Sequence, residues 1–196
     1  MHSGVCMKVK FWGVRGSIPI SNPKNLKYGG NTSCVEVNCD DKTIILDSGT
    51  GIMPLGYDIM AGNLVKRSKK KCLYIFFSHV HWDHIQGFPF FRPAFDSEFK
   101  INLYSSLHKD IDIESALRSQ MSPPFFPIHL KDMSASMNFK NIKSGENVQI
   151  GNVAVESILL DHPDGSLGYK ITCENKSVTY ISDHEHTEKA KQRMVD

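Results

Sequence analysis

The feature that most limits this chain is the run His79-Val80-His81-Trp82-Asp83-His84, which follows directly on the apolar stretch Cys72-Leu73-Tyr74-Ile75-Phe76-Phe77. The apolar stretch reads as a buried strand. Three imidazoles and a carboxylate at its end are hard to explain by packing. Imidazole and carboxylate together suit zinc, manganese or iron. If two such ions bind, the site makes hydroxide from water at neutral pH and clamps a phosphoryl or acyl group.

Spacing supports this reading. On a near-extended backbone, His79 and His81 point to the same side and can grip one ion. Asp83 and His84 follow where the chain turns, so they aim at a neighbouring point. Two later places repeat the pattern of a strand that ends in ligands. Ile158-Leu159-Leu160 runs into Asp161-His162-Pro163-Asp164-Gly165, and Val178-Thr179-Tyr180-Ile181-Ser182 runs into Asp183-His184-Glu185-His186. His162 can complete the first site, and Asp183 can bridge both ions with its two oxygens. A loop His or Asp alone is commonly a turn or capping group. Combined with the first motif, these positions give an expected ligand set of His79, His81, Asp83, His84, His162 and Asp183.

At 196 residues the chain is expected to be one domain, and an apolar fraction of 40% is enough for a real core. Net charge is +2, so charge alone does not argue for nucleic acid. No signal peptide is visible at the N-terminus, and no apolar run approaches the roughly 20 residues of a membrane span. The 5 cysteines include no Cys-x-x-Cys pair, which fits reduced thiols and a cytoplasmic protein.

Strand signals fall at Met7 to Val14, Ser33 to Asn38 and Thr43 to Asp47, the last two joined by a tight turn at Cys39-Asp40-Asp41-Lys42. A helix is expected over Ile52 to Leu64 and another near Asp110 to Met121. The basic run from Lys66 to Lys71 reads as a solvated helix end, with a phosphate-attracting patch as the alternative. Two Pro-aromatic loops, Gly87 to Phe95 and Pro123 to Pro127, either seal the surface or line a cleft. A short strand is expected at Ile101 to Tyr104. Five more are expected at Met137 to Ile142, Val148 to Ile150, Val153 to Leu160, Leu167 to Cys173 and Val178 to Ser182, and a short helix at His186 to Val195. Strands in two clusters with helices between them suggest a layered α/β protein.

His79-Val80-His81-Trp82-Asp83-His84 with His162 and Asp183 resembles the metallo-β-lactamase superfamily. Phe11-Trp12-Gly13-Val14-Arg15-Gly16-Ser17, Tyr28-Gly29-Gly30-Asn31-Thr32-Ser33-Cys34, Asp47-Ser48-Gly49-Thr50-Gly51 and Ile85-Gln86-Gly87-Phe88-Pro89-Phe90-Phe91 resemble its phosphodiesterase branch. That branch is related to tRNA 3′-processing endonucleases and cyclic-phosphate phosphodiesterases. The resemblance spans essentially the whole chain. It implies an αββα sandwich with metals at the sheet edge, and a role for Asp47 in orienting a ligand histidine or a loop. A helix cap is the alternative role for Asp47. Arg15 and Asn31 would sit near the site, or only hold their loop.

One departure matters. The family places two further histidines well beyond the position of Asp183, one in a Gly-His-Ser-like stretch and one closing the second metal site after a final strand, and the sequence through Asp196 has neither. Three readings compete: a truncated chain, a ligand from another subunit in a homo-oligomer, or local substitution by His184 or His186. The expectation is truncation, with the last strand and helices of the fold missing and the second metal weakened. The expected function is metal-dependent hydrolysis of a phosphodiester by two divalent ions, Zn²⁺ or Mn²⁺. Asp83 or Asp183 would orient the nucleophile and His186 would be the local fallback for general acid. A small cyclic nucleotide or cyclic phosphate is the leading substrate class, with bases stacking on Phe90, Phe91, Phe125 or Phe126. RNA is the weaker reading, because no large basic arm is apparent. A metal-binding protein with little catalysis, or another hydrolase of the same fold, is the alternative.

Overall fold

The computed structural model describes residues 7–25, 27–63 and 71–186. Among these residues, strands form a six-stranded and a four-stranded sheet. The first contains, in order, β1 (Met7–Gly13), β2 (Cys34–Cys39), β3 (Lys42–Leu46), β4 (Cys72–Phe76), β5 (Lys100–Ser105) and β6 (Ser136–Asn141). β1 to β3 are antiparallel neighbours, and β3 to β6 run parallel. The β2–β3 hairpin closes at the Cys39–Lys42 pair, where Asp40 takes a left-handed φ of 52°. The second sheet is the antiparallel meander β7 (Asn147–Ile150), β8 (Val153–Leu160), β9 (Ser166–Cys173) and β10 (Lys176–Tyr180).

Period-two alternation divides the core in two. Leu73, Ile75 and Phe77 face a cluster with Ile52, Leu55, Phe88, Phe91, Ile113 and Leu117. Phe76 faces the other way, with Val153, Val155, Leu167, Tyr169 and Ile171 of the second sheet, and Tyr74 packs against that cluster. β4 is therefore covered on both sides, which is why its sequence is a continuous apolar run. Phe76 also stacks on Tyr104, with ring centroids 4.4 Å apart. Helices α1 (Ile52–Asp58) and α3 (Ile113–Gln120) cover the first sheet, and α2 (Trp82–Ile85) follows the end of β4. The described residues thus supply the helix, sheet and sheet layers of the expected αββα sandwich. None of their helices is long and apolar enough to cross a membrane.

Two helices are shorter than expected, for local reasons. The regular part of the helix expected over Ile52 to Leu64 stops at Asp58, and a wider turn at 59–63 ends the segment with Gly62 at φ 85°. The helix expected from Asp110 begins at Ile113. Lys109 and Asp110 hold left-handed φ values of 48° and 68°, and Asp112 caps the helix by accepting from Ser115 N at 2.7 Å. The first Pro-aromatic loop forms two short 3₁₀ turns, Phe88–Phe90 and Arg92–Phe95. Of the basic run, Lys71 pairs with Asp96 at 3.3 Å and with Glu98; Lys66 to Lys70 lie outside the described residues. So does the expected C-terminal helix beyond His186, which is itself non-helical.

The parallel strands set the location of the site. Asp47 follows β3, His79 follows β4 and His108 follows β5, all at the carboxyl ends, where open α/β sheets place ligands. Bonds to the backbone after β4 help fasten the second sheet to this edge. Leu167 N donates to Ser78 O at 2.7 Å, and Tyr169 Oη donates to Phe77 O at 2.6 Å.

Candidate metal centre

The chain leaves β4 at Phe77 and delivers Ser78 and His79 into the gap between the sheets. His81 is extended (φ −59°, ψ 148°) and precedes α2, whose first turn carries Asp83 and His84. The turn packs closely on the segment after β3: Ser48 N donates to His84 O at 2.8 Å and Gly87 N to Ser48 O at 2.9 Å. A Cβ on Gly87 would meet Gly49 O at 2.1 Å, so two backbones touch where only glycine fits. The β8–β9 loop brings His162. The segment after β10 brings Asp183, docked on that loop by Glu185 N to Asp161 O at 2.6 Å.

The six expected ligands converge. One donor atom each of His79, His81, His162 and Asp183 lies within 4.8 Å of the others, and Asp83, His84 and Asp183 form a second such group. Asp183 belongs to both. Its Oδ2 is 3.7 Å from His79 Nε2, 3.5 Å from His84 Nε2 and 3.7 Å from His162 Nε2. His162 Nε2 and His81 Nδ1 are 3.2 Å apart. His186 joins neither group; it is exposed, with its ring edge-on to His184 at a centroid distance of 5.1 Å. His184 also stays out of both groups and accepts from Asp161 N at Nδ1, 3.2 Å away.

A buried carboxylate organises the centre. Asp47 accepts from Ser78 N at 2.7 Å, from Ser78 Oγ at 2.8 Å and from Tyr180 Oη at 2.7 Å, and faces His84 Nδ1 at 2.8 Å. It therefore orients both a histidine and the loop that carries His79, the role the family resemblance implied. Asp83 is anchored separately, its Oδ2 accepting from Ser17 N at 2.7 Å. Burial pushes His79 down to about 3, with help from His84, so the ring is neutral and its lone pair is free. Burial opposes charge on His84 too, but Asp47, Asp183 and Asp83 outweigh it and hold that ring up to about 10. The His84 ring in turn holds Asp183 down to about 2.

These residues fit divalent cations. His79 Nε2 and His84 Nε2 are buried and have no hydrogen-bond partner, and both face the shared carboxylate. The other nitrogen of each ring is already engaged, on Ser78 Oγ at 3.0 Å and on Asp47. A buried nitrogen without a partner on a ring fixed from behind is the arrangement of a metal-ligating histidine; His79 offers its lone pair as it stands, whereas His84 is charged without metal and would give up its Nε2 proton on binding an ion.

Sequence reasoning did not find Ser17, Ser78, Tyr180 or His108 as site neighbours. Ser17 contributes a backbone amide, which no residue type announces. Ser78 and Tyr180 lie beside the recognised ligands, and Tyr180 reads as an ordinary strand residue. His108 is buried, follows β5 and contacts Asp164 O at 3.4 Å, with its ring 6.4 Å from that of His79.

Comparison with known proteins gives the family and the fold. Residues 42–196 match the model of the β-lactamase superfamily domain. Ribonuclease Z of Natronomonas pharaonis is 23% identical over 168 residues, covering 84% of this chain and 47% of that protein. The chain spans about half the length of the curated relatives it matches. The metallo-β-lactamase fold protein YhfI from Bacillus subtilis superposes with a TM-score of 0.62 at 18% identity, over 93% of this chain and 64% of that one. The short form of human tRNase Z superposes with a TM-score of 0.54 at 17% identity, over 89% and 68%.

Proposed function

Since this chain belongs to the β-lactamase superfamily and has relatives in its phosphodiesterase branch, we propose that it is a metal-dependent phosphodiesterase acting on a small cyclic nucleotide or cyclic phosphate. The observation that supports this reading best is the pair of donor groups sharing Asp183, with open imidazole nitrogens aimed at it. In the proposal, His79, His81, His162 and Asp183 hold one zinc or manganese ion, and Asp83, His84 and Asp183 hold the other. Ions in those positions supply an activated water and neutralise phosphoryl oxygens.

The chain's own residues do the positioning. Asp183 is ionised and 37% exposed, so its carboxylate faces both the donors and the solvent from which substrate arrives. In this reading it orients the attacking water by accepting its hydrogen bond, and Asp83, fixed by Ser17 N and, like Asp183, 3.5 Å from His84 Nε2, is the alternative acceptor. Arg15 shares a recess of about 230 Å³ with Asp183, where its guanidinium offers charge to a substrate phosphate. His186 belongs to neither donor group, so it holds no ion in this reading and stays the local candidate for protonating the leaving oxygen.

A second reading is a metal-binding protein with little catalysis. It is favoured by the second group's having, among the described residues, three donors against four in the first. One experiment separates the two. Metal-stripped protein is reloaded with zinc or manganese and assayed on bis-p-nitrophenyl phosphate and a cyclic nucleotide. Metal-dependent turnover that His81→Ala abolishes supports the phosphodiesterase. Bound metal with no turnover of either ester supports the binding-only reading.

A further inference from the structure

We infer that His108 is a positioning residue for the first donor group: it grips the β8–β9 loop and thereby sets where His162 stands. The inference rests on the assignment of His162 to that group. The donors differ in what holds them from behind. His79 has Ser78 Oγ, His84 has Asp47 and Asp83 has Ser17 N. His162 has no such partner among the described residues; its ring meets only its fellow donors His79, His81 and Asp183. The place of this ring therefore depends on the loop that carries it.

That loop joins the paired residues Leu160 and Ser166 and is held on either side of His162. Before it, Asp161 O accepts from Glu185 N. After it, the segment following β5 grips Asp164 twice. His108 Nδ1 is 3.4 Å from Asp164 O, and Lys109 pairs with the Asp164 carboxylate. Both turns have settled geometry. His108 and Ile111 exchange backbone bonds at 3.0 and 2.9 Å, and Gly165 N donates to His162 O at 2.8 Å. Lys109 and Asp164 hold left-handed φ values of 48° and 65°, which non-glycine residues keep only where the surroundings impose them. Burial pushes the His108 ring down, so it is neutral and has one N–H. A carbonyl oxygen only accepts, so that N–H is at Nδ1, and Nε2 accepts from Ser106 Oγ at 3.2 Å. The ring belongs to neither donor group, although it is 6.4 Å from that of His79. It acts on the centre only through the loop.

Two amides at position 108 separate the ring nitrogens, because asparagine places its N–H near Nδ1 and glutamine near Nε2. Chelator competition on the zinc-loaded protein is expected to give His108→Asn the wild-type affinity for the tighter ion. His108→Gln is expected to bind that ion about tenfold more weakly and the other ion unchanged. Lys109→Glu sets a like charge against Asp164 at a side chain 73% exposed, so the interior is untouched, and is expected to weaken the tighter ion about two- to fivefold. In His162→Ala, which keeps the weaker ion alone, adding His108→Gln is expected to change nothing. An unchanged tighter ion in His108→Gln or in Lys109→Glu, equal losses in the Asn and Gln variants, or an equal loss without His162 would each overturn the inference. Full zinc binding by His162→Ala itself would instead overturn the donor assignment, and the inference with it.

Discussion

His84 Nδ1 lies 2.8 Å from Asp47 Oδ2, and both side chains are wholly buried. The contact joins the end of β3 to the turn after β4 and leaves the opposite nitrogen of His84 facing Asp183. Asp47 thus acts on the candidate centre through another side chain rather than by belonging to a donor group.

Replacing Asp47 separates its charge from its shape. Its φ of 60° is left-handed, a conformation that asparagine also tolerates. Asp47→Asn is expected to fold and to lower zinc affinity roughly 10- to 100-fold, as loss of a partner behind a ligand histidine does. Asp47→Ala strands the donors of Ser78, Tyr180 and His84 in the interior and is expected to cost about 3–5 kcal/mol. Chelator competition reads the first effect and urea unfolding the second. Unchanged zinc affinity in Asp47→Asn would show that His84 needs no partner.

The same pair gives the metal-free protein a pH dependence. His84 is held up to about 10 in the fold, above its ordinary value of about 6.5. A group raised on folding adds stability that is complete below its unfolded pKa and is lost as pH rises through the folded one. The wild-type protein is therefore expected to lose unfolding free energy from about pH 6.5 up to about pH 10. Asp47→Asn is expected to flatten that loss. Urea midpoints of the two proteins across this range make the comparison, and parallel curves would remove the ion pair from the account.

Much of this arrangement is legible in the sequence because strands that end in donors recur. The apolar run before His79, the stretch before His162 and the one before Asp183 each announce a strand that stops at the candidate site, β4 in the first sheet and β8 and β10 in the second. What the sequence hides are contacts carried by backbone and by distant pairs. Ser17 reaches Asp83 through an amide, so its side-chain type holds no signal. Tyr180 reaches Asp47 across 133 positions, and only the packing of β10 on the first sheet brings them together. α1 gives way to a wider turn after Asp58 and the left-handed Gly62 follows, whereas the apolar pattern of the sequence continues past both.

Gly87 offers a steric test. A methyl group there would overlap Gly49 O, and a Cβ on Gly49 would meet Asp83 O at 2.3 Å, so neither backbone has room to retreat. Gly87→Ala is expected to cost about 1–3 kcal/mol and to lower bound zinc by displacing α2. Chemical denaturation and metal content together check it. A variant with normal stability and full metal content would show that the turn gives way freely.

Metal stoichiometry in single variants tests how the donors are divided. The first group offers four donors, the second three, and Asp183 serves both. The wild-type chain is expected to take up two zinc ions, the first more tightly. His162→Ala removes a donor from the first group only and is expected to lose the tighter ion. His84→Ala is expected to lose the weaker ion, and Asp183→Asn to weaken both. Each ion binds the folded state, so its removal also lowers stability, by about 4 kcal/mol when free zinc stands at 1,000 times the dissociation constant. Elemental analysis after dialysis, paired with thermal unfolding with and without chelator, reads both quantities. One ion per wild-type chain, insensitive to His84→Ala, would show that the second group does not bind metal by itself.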